Sequence, residues 1–174
     1  AGYENTKKVL NEVGIAYTGN FDNTSKDVVV AKLGGHDVVI YGVNVINYDF
    51  DENVIIENVK ELDKKFTDAG IVVYVHWGNE YDKVHNKFQE DLAHKMIDAG
   101  VDLIIGAHPH VVQDVGYYHG VPIYYSLGNF VFDQYFSTST QQGLGVIMDI
   151  DNSGHVIYKT IETRSLRGRP YFVE

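Results

Sequence analysis

Cysteine is absent from this sequence of 174 residues, so disulfide bonds and thiolate metal sites are excluded, although the cellular compartment stays open. No stretch approaches the roughly 20 consecutive apolar residues that a membrane-spanning helix needs, and no signal peptide opens the sequence. Basic residues are few as well: 14 lysines and arginines face 24 acidic residues, and the formal net charge of −10 argues against nucleic-acid binding. The sequence also lacks G-x-S-x-G, a P-loop and G-x-G-x-x-G, so we expect neither a serine nucleophile elbow nor a nucleotide cofactor.

The composition and the pattern of apolar residues predict one globular domain with an α/β (mixed α+β) fold over residues 1–174. Hydrophobic residues make up 44% of the sequence and charged residues 22%. Three segments share one order of elements: a helix, a glycine and a short strand, within residues 6–19, 51–76 and 88–107. The inward faces of the helices are predicted from apolar spacing: Val9, Leu10 and Val13; Ile55, Val59, Leu62 and Phe66; Phe88, Leu92 and Met96.

Three hairpins are predicted between and after these segments. Glycine-containing turns separate strands at residues 27–35 and 36–45, at 111–118 and 121–129, and at 145–150 and 155–164. Residues 130–142 are aromatic and then rich in Ser and Thr, which is typical of a loop over a site. The three arginines at 164, 167 and 169 are interpreted as a solvated tail, with polyanion binding as the alternative.

Histidines follow two of the predicted strands. Residues 71–107 form a strand, a helix and a strand, an arrangement that nearly always joins parallel strands, so His76 and His108 should lie on the same edge of the sheet. If the second segment stays extended, His108 and His110 point the same way. Such imidazoles suit zinc, manganese, iron or nickel, and Glu80, Asp82, Asp114 and Asp133 follow strands nearby. The alternative is structural: His76 caps a strand beside Trp77, and residues 108–110 form a rigid turn.

The other polar candidates are given simpler roles. His85 and His94 are placed on a helix and expected to be solvated, and His36, His119 and His155 are expected at turns or strand starts. Asn129 and Asp133 would either orient metal ligands or close turns.

Three motifs resemble one known family. HWGNEY (76–81), LAHKMIDAGVDLIIGAHPHVVQ (92–113) and VPIYYSLGNFVFDQ (121–134) resemble the CapA-type poly-γ-glutamate capsule biosynthesis proteins, and the resemblance runs from Thr6 to about Ile150. Those proteins are similar in fold to calcineurin-like metallophosphatases, which implies a β-sandwich flanked by helices with two divalent ions (Mn, Fe or Zn) at the strand ends. The resemblance implies metal ligands at His76, His108 and His110, catalytic roles for His76, His108 and Glu80, and substrate or supporting roles for Trp77, Asn129 and Asp133.

The sequence also departs from that family. The family's Gly-Asp, Asn-Leu-Glu and Asn-Asn-His motifs are missing, so the chain resembles the C-terminal portion of the domain, without its N-terminal strands. A half-built metal centre is therefore expected, with weak or no metal binding by this chain alone. An uncovered sheet edge and apolar face would pair with the N-terminal half or with a second copy.

Three functions remain open on these grounds. The first is a metal-dependent hydrolase in poly-γ-glutamate capsule synthesis or export, inactive as this chain alone. The second is a polymer-binding scaffold at the cell surface, and the third is a general calcineurin-like phosphoesterase. The expected partner is poly-γ-glutamate or another polyanion. The resemblance implies a location outside the cell, with membrane attachment only through an anchor outside this chain.

Overall fold

Two of the three described helices begin at residues whose side chains cap them, Asp51 and Asn86. The structure, a computed structural model, describes residues 2–19, 27–46 and 50–173. The helices are α1 (Gly2–Glu12), α2 (Glu52–Lys65) and α3 (Lys87–Asp98). The Asp51 side chain accepts a hydrogen bond from the Asn53 backbone N–H at the start of α2, which confirms the predicted N-cap.

The strands of the described residues form two sheets. A six-stranded sheet has the order β1-β2-β3-β4-β6-β5, and a three-stranded antiparallel sheet has the order β7-β8-β9. In the larger sheet β2, β3, β4 and β6 are parallel, and antiparallel β1 and β5 form its edges. The strand ranges are β1 Val28–Leu33, β2 His36–Asn44, β3 Gly70–His76, β4 Leu103–Ala107, β5 Val115–Tyr118, β6 Val121–Tyr124, β7 Gln142–Ile150, β8 Val156–Leu166 and β9 Arg169–Phe172.

The larger sheet is covered on both faces, because its strands are apolar at successive positions. In β3, Ile71 and Val73 pack toward α2 and α3, whereas Val72 packs toward the smaller sheet. Leu92 on α3 is completely buried in the first of these layers. Burying one such side chain contributes about 1.5–3 kcal/mol. The result is a two-sheet body flanked by helices, as the sequence predicted.

Four predictions about local structure are wrong. Residues 15–18 form no strand after α1, and the apolar face of that helix stays exposed, with Val9 46% and Val13 61% accessible. Phe88, predicted inward, is 38% exposed and meets the edge of Phe50. The arginine-rich segment is a strand rather than a tail, since β9 pairs with β8.

Two histidine predictions are also wrong. His85 lies before α3 rather than on it, stacks on Tyr125 at 3.9 Å between ring centroids, and contacts the Asp114 carboxylate at 2.7 Å. His94 is on the helix, but its ring is half-buried and stacks on Tyr118 at 3.9 Å. Both rings cover apolar surface, which makes them structural rather than solvated.

None of the helices described is both long and apolar enough to cross a membrane.

A histidine site at the carboxyl ends of two parallel strands

His76 and His108 meet because β3 and β4 are adjacent and parallel. His76 pairs in register with Ala107, so His108 is the next residue beyond that pair. The Nε2 atom of His76 and the Nδ1 atom of His108 lie 3.1 Å apart, and the ring centroids are separated by 4.7 Å. The predicted common edge of the sheet is confirmed.

The chain does not stay extended past β4. His108 has φ 103° and His110 has φ 59°, both in the region that L-residues other than glycine rarely adopt. Tyr81 also has positive φ, at 68°, and its backbone N–H donates to the Pro109 carbonyl over 2.8 Å. Such conformations persist where the surroundings over-determine them, and they cluster at functional sites. His108 and His110 were predicted to point the same way only if the segment stayed extended, and that condition is not met; the two ring centroids lie 6.1 Å apart.

The strand just before this turn is packed too tightly to admit a side chain. A Cβ atom at Gly106 would collide with the Tyr125 carbonyl oxygen and with Trp77 Nε1. Trp77 is completely buried, its Nε1–H donates to the Tyr125 carbonyl over 2.8 Å, and its ring stacks on the Tyr125 ring. Trp77 therefore lies beneath the histidines and supports their strands from the core.

Asn129 fixes the orientation of His110. The Asn129 Nδ2 group donates to the Thr140 carbonyl oxygen over 2.9 Å, and a carbonyl can only accept. The Asn129 Oδ1 atom must therefore face His110 Nδ1, 2.9 Å away, and that nitrogen must carry the proton. His110 Nε2 is left with its lone pair free to accept a hydrogen bond or to bind a metal.

Aromatic side chains form a wall beside His110. The Phe132 ring lies 4.8 Å from the imidazole centroid, and the Tyr81 ring lies 6.3 Å from it on a nearly parallel plane. Phe136 meets Tyr81 edge-on at 5.4 Å, and Gln134 Nε2 donates to the Tyr81 hydroxyl over 3.1 Å. Sequence reasoning did not single out Tyr81 or Gln134, although both fall within the motifs quoted for the family resemblance.

The surroundings lower the pKa of two imidazoles below the ordinary 6.5. Desolvation lowers the pKa of His76, and positive charge on His108 or His110 lowers it further. Desolvation also lowers the pKa of His108; Glu80 opposes this shift and His110 adds to it. Both rings therefore favour the neutral form, which is the form that binds metals.

The four carboxylates that were predicted near the site differ in their contacts. Glu80 is exposed and close enough to His108 to act on its pKa. Asp133 is exposed and makes no hydrogen bond or ion pair with any described residue. Asp82 accepts a hydrogen bond from Asn79, and Asp114 is engaged by His85. Among the four, Glu80 is therefore the carboxylate shown to act on a histidine of the strand-end site.

One pair of imidazole nitrogens in the described residues is spaced as two ligands of one metal ion would be. Within residues 2–19, 27–46 and 50–173, no group of three or more His, Asp or Glu side chains is arranged to hold a metal ion. His76 Nε2 and His108 Nδ1 share a hydrogen bond of 3.1 Å, and this separation is also close to the ~3.0–3.4 Å expected for two nitrogens that ligate one ion at about 2.1 Å. A cavity of about 530 Å³, lined in part by His108, Glu80 and Asn79, opens beside this pair.

Comparison with known proteins agrees with this fold and these motifs. The model of the family described as bacterial capsule synthesis protein PGA_cap matches residues 1–134. "Capsule biosynthesis protein CapA" of Bacillus anthracis is 34% identical over 97% of this chain and 45% of its own length. "PGA biosynthesis protein CapA" of Bacillus subtilis (strain 168) is 34% identical over 81% of this chain and 40% of its own length. The chain thus spans less than half the length of these relatives.

A solved structure supports the fold alone. A hypothetical protein from Thermus thermophilus superposes with a TM-score of 0.50 at 16% identity, covering 84% of this chain and 61% of that one. The family model spans well over half of the sequence and includes all three histidines of the strand-end site. The chain is therefore a member of the bacterial capsule synthesis protein PGA_cap family.

Proposed function

We propose that this chain supplies the histidine-bearing part of a metal-dependent, phosphoesterase-like hydrolase site in the synthesis or export of a poly-γ-glutamate capsule. The observation that carries the proposal is the convergence of His76 and His108, with His110 beside them, at the carboxyl ends of two parallel strands. The capsule role comes from the relatives, two of which are named as CapA proteins of capsule or PGA biosynthesis. We place the protein at the cell surface, with any membrane attachment outside these residues.

Each residue of the proposed site has a distinct task. His76 Nε2 and His108 Nδ1 would hold a divalent ion (Mn, Fe or Zn), and His110 would offer Nε2 because Asn129 holds its other nitrogen. A bound divalent ion would supply Lewis acidity and lower the pKa of water at the site. Glu80, exposed beside His108, is the group positioned to accept a proton from an attacking water.

A polymer-binding scaffold without turnover is the second candidate. Exposed aromatic side chains favour it, because Phe132 and Phe136 remain 43% and 68% accessible beside His110. Exposed aromatic surface next to a polar site is typical of a binding surface.

The test compares metal binding and turnover in matched variants. Equilibrium dialysis of the purified chain against millimolar Zn²⁺ or Mn²⁺, high enough to detect the weak binding expected of a half-built centre, should show one ion bound by the wild type and by His155→Ala, a histidine on an exposed turn. His108→Ala should lose that ion. Equal metal content in His108→Ala and the wild type, or no metal in either, would overturn the metal site.

A second measurement distinguishes the two candidate functions. Metal-dependent hydrolysis of bis-p-nitrophenyl phosphate that disappears in His108→Ala supports the hydrolase. Retention on immobilised poly-γ-glutamate supports the scaffold instead when metal-loaded protein that also carries the family's N-terminal motifs shows no hydrolysis.

A further inference from the structure

The arginines of this chain are concentrated in one hairpin. All three, Arg164, Arg167 and Arg169, fall within six consecutive residues of a sequence whose net charge is −10. They lie at the end of β8, in the turn and at the start of β9, and all three are exposed. We call residues 164–171 the arginine hairpin. It lies outside residues 1–134, which the family model matches, so the family match assigns it no role.

The hairpin presents two of its arginines on one face. Arg164 pairs with Tyr171, and Leu166 pairs with Arg169; directly opposed residues share a face of the sheet. Thr163 and Ser165, on the other face of β8, are buried, so the arginine face is the one open to solvent. Arg164 and Arg169 are diagonal neighbours, about 7–8 Å apart at the backbone.

The third arginine, Arg167, lies in the turn, in a backbone conformation that arginine rarely adopts. Arg167 has φ 51° and Gly168 has φ 73°, as in a two-residue turn whose first position prefers Asn, Asp or Gly. An arginine held there places its guanidinium at the tip of the hairpin.

These guanidinium groups have no acidic partner in the described part of the chain. Lysines elsewhere do, as in the contacts of Lys87 with Asp91 at 2.7 Å and of Lys95 with Glu52 at 2.6 Å. Within that same part, none of the three arginines makes an ion pair, and Glu162, two residues before Arg164 on the same face, makes none either. The planar fork of arginine suits carboxylate groups, which it binds through two parallel hydrogen bonds.

The hairpin lies against the loop that also contacts His110. Gly168 lies against Tyr135, whose hydroxyl would be 3.2 Å from a Cβ atom at that glycine. Tyr135 belongs to the same loop as Phe132, which contacts His110. The arginine hairpin and His110 therefore both lie against residues of the same aromatic loop.

We propose that the arginine hairpin is a binding site for an anionic polymer with repeated carboxylate groups, held beside the histidine site. The location rests on the clustering, exposure and unpaired state of the arginines. The choice of a polycarboxylate rests on the function proposed above and on charge complementarity, since a hairpin with three cations stands out from a chain that is acidic elsewhere.

The test replaces charge in the hairpin and in a matched control. Arg164→Gln/Arg167→Asn/Arg169→Gln removes three positive charges while Asn suits the turn. Lys60→Gln/Lys64→Gln/Lys65→Gln removes three from the exposed face of α2. Binding of poly-γ-glutamate, measured by fluorescence anisotropy at fixed salt, should weaken by about tenfold in the arginine variant and by less than about twofold in the control. Equal weakening in both variants, or none in the arginine variant, would overturn the proposal.

Two further measurements distinguish this proposal from binding to phosphate groups and from the proposed metal site. Anionic vesicles of phosphatidylglycerol provide phosphate groups instead of carboxylates, and loss of vesicle binding without loss of polymer binding in the arginine variant would overturn the polymer assignment. The two proposals can fail independently: His108→Ala should lose metal binding but keep polymer binding. The arginine variant should show the reverse, and thermal melting should show both variants folded.

Discussion

The Nε2 atom of His76 lies 3.1 Å from the Nδ1 atom of His108, although 32 positions separate the two residues in the sequence. The parallel register of β3 and β4 creates this contact, because it pairs His76 with Ala107. The site is therefore a property of the sheet, and changes that disturb the sheet beneath it should disturb the histidines.

The first prediction concerns the pKa values of His76 and His108. In metal-free chain, kept so with EDTA, we expect His76 and His108 to titrate below the ordinary pKa of 6.5, chiefly because burial disfavours their charged forms. Between those lowered pKa values and 6.5 the unfolded chain binds more protons than the folded one, so the free energy of unfolding should fall as pH falls through that window. NMR titration of the imidazole Cε1 protons measures the pKa values directly.

A variant checks the cause of this shift. His108→Ala removes one of the positive charges that lower the pKa of His76, so that pKa should move toward 6.5. His155→Ala should leave it unchanged. A wild-type His76 that titrates at or above 6.5 would contradict the prediction.

The second prediction concerns the glycine beneath the histidine turn. Gly106→Ala would place a methyl group against the Tyr125 carbonyl and Trp77 Nε1, both fixed in the core, so it should lower the free energy of unfolding by about 3 kcal/mol or more. Gly70→Ala is the control, since Gly70 begins the neighbouring strand with nothing within 4 Å of its Cβ position. That change should cost about 0.5 kcal/mol or less. Urea unfolding followed by fluorescence of Trp77, the single tryptophan, measures both; equal effects would show that the close approach at Gly106 is relieved elsewhere.

Asn129 gives the third prediction. Asn129→Ala removes the acceptor that holds His110 Nδ1–H and the donor to the buried Thr140 carbonyl. Loss of such an orienting partner typically weakens metal binding by about 10–100-fold, and we expect that range for Zn²⁺ in isothermal titration calorimetry. Asn53→Ala, which removes an exposed amide on α2 that is bonded to Asp51, is the control. Unchanged Zn²⁺ affinity in Asn129→Ala would mean that His110 takes no part in binding.

The sequence predicted most helices and strands of this molecule better than its loops and its contacts between distant residues. Helices α2 and α3, the parallel pair of strands and the hairpin turns follow from local signals such as the Asp51 cap and the Leu92 to Met96 spacing. The stacking of His85 on Tyr125 joins residues 40 positions apart, and no local pattern encodes it. The sequence did not predict β9 because Arg169 and the two arginines before it indicate solvent exposure, whereas the pairing of β9 with β8 depends on the backbone.

The histidine site was predicted only in part for the same reason. Strand ends and a family resemblance pointed to His76, His108 and His110. The positive φ angles of His108 and His110 and the contact between Tyr81 and Pro109 depend on how two loops pack against each other. Loop packing of this kind has no periodic signature in the sequence.

The exposed face of α1 gives the last prediction. None of the described residues of this helix is buried, and Val9 and Val13 leave apolar surface in water. Such a face favours association, and in a solution of this chain alone a second copy is the partner available to cover it. We expect sedimentation velocity to show a concentration-dependent dimer that Val9→Glu/Val13→Glu converts to monomer. Lys8→Glu changes the net charge by the same amount on an exposed position of the same helix and should leave the dimer intact. A wild-type chain that stays monomeric at its highest soluble concentration would contradict the prediction, because the free energy of covering two such valine pairs would then be smaller than the entropy lost on association.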